Sequence, residues 1–112
     1  MYDKENLFAK IIRKEIPCEK IYEDKNVLFF KDIYPKAKIH ILAIPKNNVI
    51  DFGDFVSSCD EKTVKNFFDT IYKVIKMINL DKTGYRLITN SGSDGNQEVP
   101  HFHVHILGGE KL

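Results

Sequence analysis

A chain of 112 residues is about the size of one domain and can bury roughly two-thirds of the surface its unfolded form exposes, so it needs no disulfide staple. Its 43% hydrophobic and 29% charged residues lie near soluble-protein averages and argue against a disordered or membrane-embedded chain. Seventeen basic against sixteen acidic residues leave a net charge of +1, which gives neither nucleic acid nor an anionic membrane a reason to bind.

From Asp3, read as an N-cap, the apolar positions Leu7, Phe8, Ile11 and Ile12 recur at helical spacing, and Pro17 stops this helix beyond Ile16. Three strand-like runs follow, "EKIYED", "NVLFFKD" and "KIHILAIP". They are separated by "DKN" and "IYPKA", turn compositions that suit an antiparallel meander. Ser58 and Glu61 read as a capping-box pair ahead of Val64, Phe67, Phe68, Ile71, Val74, Ile75 and Ile78, a second amphipathic helix with these positions in the core. After "DKTG", the run "YRLIT" reads as a fourth strand, "NSGSDGNQ" as a Gly-rich loop and "HFHVHIL" as a fifth strand ending at Gly108 and Gly109. There is no repeat, linker or low-complexity tract. The order predicts one α+β domain over residues 1–112: a five-stranded antiparallel sheet with two helices, a parallel βαβ arrangement being the fallback.

Cys18 and Cys59 lie far apart without a CxxC neighbour and read as free thiols in a reducing compartment. The start "MYDKENLF" has no apolar signal core, and no stretch approaches the ~18 apolar residues of a membrane span. The expected location is the cytosol, with a nuclear pool left open.

Three of the four histidines alternate in "HFHVHIL". In a strand, side chains alternate faces, so His101, His103 and His105 share one face while Phe102, Val104 and Ile106 enter the core. At a rise of ~3.3 Å per residue, His101 and His105 are about 13 Å apart along the backbone. Two alternate histidines such as His101 and His103 can share a zinc ion, but three cannot without bending the strand. The row is therefore a catalytic surface, a weak metal site or a histidine-rich surface strand. In the first case a neutral imidazole is the nucleophile and its neighbours bind an anion. The preceding loop, "NSGSDGNQEV", can present backbone N–H groups to a phosphate or simply turn. His40 joins the site only if its strand lies beside the row.

These residues carry a resemblance. "HFHVHILGG" resembles the HxHxHxx signature of the histidine-triad superfamily, and the Gly-Gly pair is similar to its HINT branch, the purine nucleoside phosphoramidases. "LFAKIIRKEIP", "FKDIYPKAKIHILAIPK" and "NSGSDGNQEVPHFHVH" extend the likeness over nearly the whole chain. The resemblance implies a homodimer whose sheets join across a two-fold axis. It also implies hydrolysis of purine nucleoside 5′-phosphoramidates, such as adenosine 5′-phosphoramidate to AMP or the guanosine equivalent to GMP, without metal or cofactor. His103 would attack the α-phosphorus to form a nucleotidyl-histidine that water then hydrolyses. His105 matches the phosphate-contacting histidine and His101 the one whose backbone carbonyl fixes the nucleophile's tautomer. His40 matches the outlying histidine that supports the relay.

On the same resemblance, Asp32 holds the ribose hydroxyls, and Leu7, Phe8, Ile11, Phe30 and Ile33 wall the base. Asn90 is the phosphate-side asparagine, and Asn96, Gln97 and Glu98 occupy the loop that delivers backbone donors to the phosphate. The chain departs from the pattern at Glu98, where the mammalian-type sequence has Ser, and at Asn96, where it has Gly, a change Asn tolerates at positive φ. "GGEKL" also ends where relatives continue into a Trp- and Pro-containing tail. Two rivals stay open: dinucleoside polyphosphate hydrolysis, which the Gly-Gly pair disfavours, and a nucleotide- or zinc-binding regulator acting through protein contacts.

Overall fold

The computed structural model describes residues 1–112. Its elements run α1 (Leu7–Ile12), β1 (Lys20–Glu23), β2 (Val27–Lys31), β3 (Ile39–Pro45), α2 (Phe52–Ser58), α3 (Glu61–Met77), α4 (Leu80–Thr83), β4 (Tyr85–Ile88) and β5 (Val104–Gly108). The strands form one sheet in the order β1-β2-β3-β5-β4 with every pair antiparallel, so the parallel fallback is wrong. The architecture is α+β as expected, but with four helices where the sequence predicted two.

The two sheet faces are covered differently. Val27, Phe29, Ile41, Ala43, Val104 and Ile106 point to the face packed by Phe55 of α2, Phe67, Ile71, Val74 and Ile75 of α3, and Leu80 of α4. The alternate residues Leu28, Phe30, Leu42 and Ile44 point the other way, against Phe8 and Ile11 of α1. Because β2 and β3 are buried on both faces, their sequences read as nearly continuous apolar runs. Phe102 sits in the larger core, stacked on Phe55 at 4.8 Å between ring centroids.

Local chemistry moved several boundaries. The N-cap of α1 is Asn6, whose side chain accepts the Ala9 N–H, while Asp3 accepts the Glu5 N–H one turn earlier. This helix ends well before Pro17. Lys14 takes a left-handed φ of 66°, and the Glu15 and Lys14 N–H groups close back onto the Lys10 and Ile11 carbonyls, a Schellman ending without glycine. For α3 the cap is Asp60, accepting from the Thr63 N–H, and no Ser58–Glu61 capping box forms. Ser58 instead closes α2, its hydroxyl donating to Asp54. Phe68, expected in the core, is 37% exposed.

Gly108 and Gly109 have separate backbone reasons. A Cβ on Gly108 would lie 2.9 Å from Leu80 Cδ2, so the strand can approach α4 only without a side chain there. Gly109 has φ of +84° and turns the chain off the sheet. Cys18 and Cys59 are both free, and no helix is long and apolar enough to cross a membrane.

Candidate active site

The histidine segment enters the sheet later than its alternation suggests. Ladder pairing between β3 and β5 begins at Ala43–Val104, so His101 and His103 precede the strand. Their backbone is held by other means: the Phe102 N–H donates to the Val49 carbonyl, and the Thr89 hydroxyl donates to the His103 carbonyl. The alternation of faces survives. Phe102, Val104 and Ile106 are in the larger core, while the three imidazoles lie on the side of the sheet covered by α1.

Along that side the rings form a connected row. His103 and His105 are 5.1 Å apart between centroids, and His105 and His40 are 5.2 Å apart. The His40 strand does lie beside the triad, because β3 pairs with β5. Phe8 of α1 packs edge-on against His103 at 4.9 Å and His101 at 6.4 Å, closing the first part of the row.

The hydrogen bonds assign the protons. A carbonyl can only accept, so His103 Nδ1 carries a proton donated to the His101 carbonyl at 2.6 Å, leaving its lone pair on Nε2. His40 Nδ1 accepts the Lys36 N–H at 3.0 Å, so the His40 proton is on Nε2 and is donated to His105 Nδ1 at 2.9 Å. This leaves the proton of neutral His105 on Nε2. Neighbouring rings therefore carry opposite character, a nucleophilic Nε2 on His103 and a donor Nε2–H on His105.

Electrostatics keep the row neutral at pH 7. Burial lowers the pKa of His103 and of His40. Burial, with the nearby His103 and His40, holds His105 at about 4, and burial holds His101 at about 4. Asp32 and Glu98 pull the opposite way on His103, favouring its protonated form.

His101 differs from the other rings. It is fully buried, with Nε2 donating to the Pro45 carbonyl at 2.8 Å and Nδ1 bonded to the Tyr2 hydroxyl at 2.6 Å. With both nitrogens engaged, it cannot share a zinc ion with His103, which removes the pair the sequence allowed for. Asp32, His40 and His105 do place one ligand atom each within 4.8 Å of one another. Yet the Lys36 N–H occupies the His40 lone pair and leaves Nε2 protonated, so this set is built as a proton-sharing chain rather than a ligand cage.

The remaining expected residues divide. Asp32 lies within the row, its Oδ2 3.4 Å from His40 Nε2 and its Oδ1 accepting the Tyr34 N–H. Phe8, Ile11 and Phe30 are buried members of the smaller core, whereas Leu7 is 43% and Ile33 78% exposed. Asn90 donates to the Gly95 carbonyl across the Gly-rich loop. Gln97 fastens that loop: its side chain accepts from the Gly92 N–H and donates to the Ile50 and Val99 carbonyls.

The Asn96 and Gln97 N–H groups are spent inside the loop, on Ser93 and Gly92. Of the three residues expected in the phosphate-facing loop, Glu98 alone keeps an N–H with no partner in the chain. Asn96 has φ of 60°, the conformation that its replacement of glycine demands. Tyr2 was not anticipated at all. Its partner is 99 residues away, and no local periodicity marks it. A polar depression of about 310 Å³ lies elsewhere, on the α3 side, lined by residues including Asn26, Asn47, Lys62 and Asn66.

Comparison with known proteins agrees with the fold. A family model described as the HIT domain matches residues 13–112. An uncharacterized HIT-like protein of Rickettsia prowazekii is 54% identical over 112 residues, covering 100% of this chain and 93% of that protein. A purine nucleoside phosphoramidase of Escherichia coli K12 is 41% identical over 109 residues, covering 97% and 91%. Among solved structures, a histidine triad protein from Clostridium difficile superposes with a TM-score of 0.87 at 43% identity, covering 100% and 96%. A HIT family hydrolase from Legionella pneumophila gives 0.87 at 41%, covering 94% and 93%. These names support a hydrolase in general terms. The curated relatives named are bacterial, and nothing supports the nuclear pool left open above. With a family match over most of its length and a relative more than half identical end to end, the chain belongs to the HIT domain family.

Proposed function

We propose that the protein hydrolyses purine nucleoside 5′-phosphoramidates to the nucleoside monophosphate and an amine, through a covalent intermediate on His103. The observation that carries this reading is the 2.6 Å bond from His103 Nδ1 to the His101 carbonyl, which leaves the His103 lone pair on Nε2. Burial keeps that ring neutral, the form in which imidazole is a nucleophile. The Escherichia coli relative, a purine nucleoside phosphoramidase, supplies the substrate class.

In the proposed sequence, the bound phosphoryl anion raises the proton affinity of His105, which takes up a proton at Nδ1 on substrate binding as the His40 Nε2–H turns from it to Asp32. His103 Nε2 bonds to phosphorus as the P–N bond breaks, and the departing nitrogen leaves as the amine with the His105 proton. Water then bonds to phosphorus, giving its proton to His105, and the P–Nε2 bond breaks to restore His103. Asp32, whose carboxylate lies beside His40, accepts the ribose hydroxyls in this reading. Both steps rely on fixed donors rather than on a metal.

The test is a quench of the protein with adenosine 5′-phosphoramidate followed by intact-mass measurement and peptide mapping. One nucleoside monophosphate on His103 supports the reading. A His103→Ala variant that binds AMP normally and still turns over would refute it. A wild-type protein that binds AMP but consumes no phosphoramidate would favour the regulator. Assembly as a homodimer belongs to the same proposal. The edge strand β4 exposes Tyr85 at 40% and Leu87 at 42%, apolar surface at an open sheet edge, and light scattering of the purified protein decides it.

A further inference from the structure

We propose that Tyr2 is a positioning residue for His103, acting through the sealed ring of His101. The argument rests on the nucleophile assigned above. His101 is 0% exposed, so in the folded chain both ring nitrogens depend on protein partners. Because the Pro45 carbonyl takes the Nε2 proton, Nδ1 can only accept, and Tyr2 must donate. The tyrosine ring also packs edge-on against His101, with centroids 5.6 Å apart and planes at 70°. Ring and hydroxyl together hold His101 in one orientation and one tautomer. The backbone carbonyl of that same residue receives the His103 Nδ1–H.

The path from Tyr2 to the nucleophile is thus a half-buried phenol, one buried imidazole and one carbonyl. Removing the hydroxyl strands a buried acceptor, which a neutral imidazole relieves by exchanging tautomer or tilting. Either response disturbs the Pro45 anchor and moves the His101 main chain. Tyr2 makes no bond to Asp32, His40 or His105, so the rest of the row keeps its own connections.

The experiment is Tyr2→Phe, read in two ways on protein shown to be folded. In ¹H–¹⁵N spectra tuned to imidazoles, the parent should show His101 as the Nε2–H tautomer and His103 as Nδ1–H, with the His103 proton far downfield. In the variant the His101 nitrogens should move toward a tautomer mixture and the His103 proton upfield. With adenosine 5′-phosphoramidate, kcat should fall about tenfold with KM unchanged, the signature of a displaced reacting group rather than a lost substrate contact.

Should Tyr2→Phe fail to fold, a fluorinated tyrosine placed at position 2 keeps the shape and makes a stronger donor. It should shift the His101 Nδ1 and His103 Nδ1–H signals in the opposite direction. A variant with a lower unfolding midpoint but unchanged imidazole spectra and kcat would overturn the proposal, as would unmoved signals with the fluorinated residue. If the parent consumes no phosphoramidate, the proposed reaction fails while the spectra still decide the role of Tyr2.

Discussion

Acidification should destabilise this protein well before its carboxylates titrate. The perturbation is a change from pH 7 to pH 5. His101 sits at about 4 in the folded chain because it is buried, against an ordinary value of 6.5 once unfolded. At pH 5 the unfolded ring is protonated and the folded ring is not, so protons favour the unfolded state. The contribution is complete above pH 6.5, is lost progressively as pH falls below it, and is exhausted near pH 4. At pH 5 protonation shifts the folding equilibrium toward the unfolded state by about thirtyfold, or about 2 kcal/mol from His101 alone. His105 shifts in the same direction, but its ring is only half-buried and solvent screening reduces its share.

Carboxylates act in a lower window. Glu23, held at about 2 first by its hydrogen bond to Lys46 and then by Lys20, loses its contribution only as pH falls below 4.5. Urea unfolding at pH 7, 6 and 5 measures the effect as a falling midpoint at constant slope. Imidazole NMR titration in parallel should show His101 neutral down to about pH 5. Constant stability between pH 7 and pH 5, or His101 titrating near 6.5, would refute the assignment of this ring as sealed and neutral.

Two further outcomes follow from named contacts. His40→Ala removes the donor that fixes the His105 tautomer and should lower kcat roughly tenfold to a hundredfold with little change in KM, checked by steady-state kinetics on the phosphoramidate. Gly108→Ala forces a methyl to 2.9 Å from Leu80 Cδ2 and should cost about 1–3 kcal/mol by urea unfolding, with the circular dichroism of the folded state unchanged.

The main strands and the long helix were legible because burial imposes periodicity. Phe67, Ile71, Val74 and Ile75 repeat at helical spacing, and Leu28, Phe29 and Phe30 form an unbroken run because the sheet is covered on both sides. The missed helices are short. Phe52–Ser58 offers one buried residue, Phe55, and carries Gly53, while Leu80–Thr83 is a single turn. The misplaced caps share a cause: Asp3, Asn6, Ser58 and Asp60 are all competent caps, and which one acts depends on where the backbone leaves the helix. The histidine alternation located the row but could not tell that His101 would be enclosed, since that enclosure is made by Phe8, Pro45 and Tyr2 from distant parts of the chain.

Leaving the sheet ladder just before Val104 frees a peptide oxygen to steer the His103 ring, and that oxygen has no codon of its own. A systematic alanine scan would pass over it, scoring position 101 for packing alone. Atom-level replacement of the peptide link by an ester is the perturbation that reaches it. What selection can vary is the casing around that oxygen, so the alignment of the His103 ring is inherited with the path of the main chain.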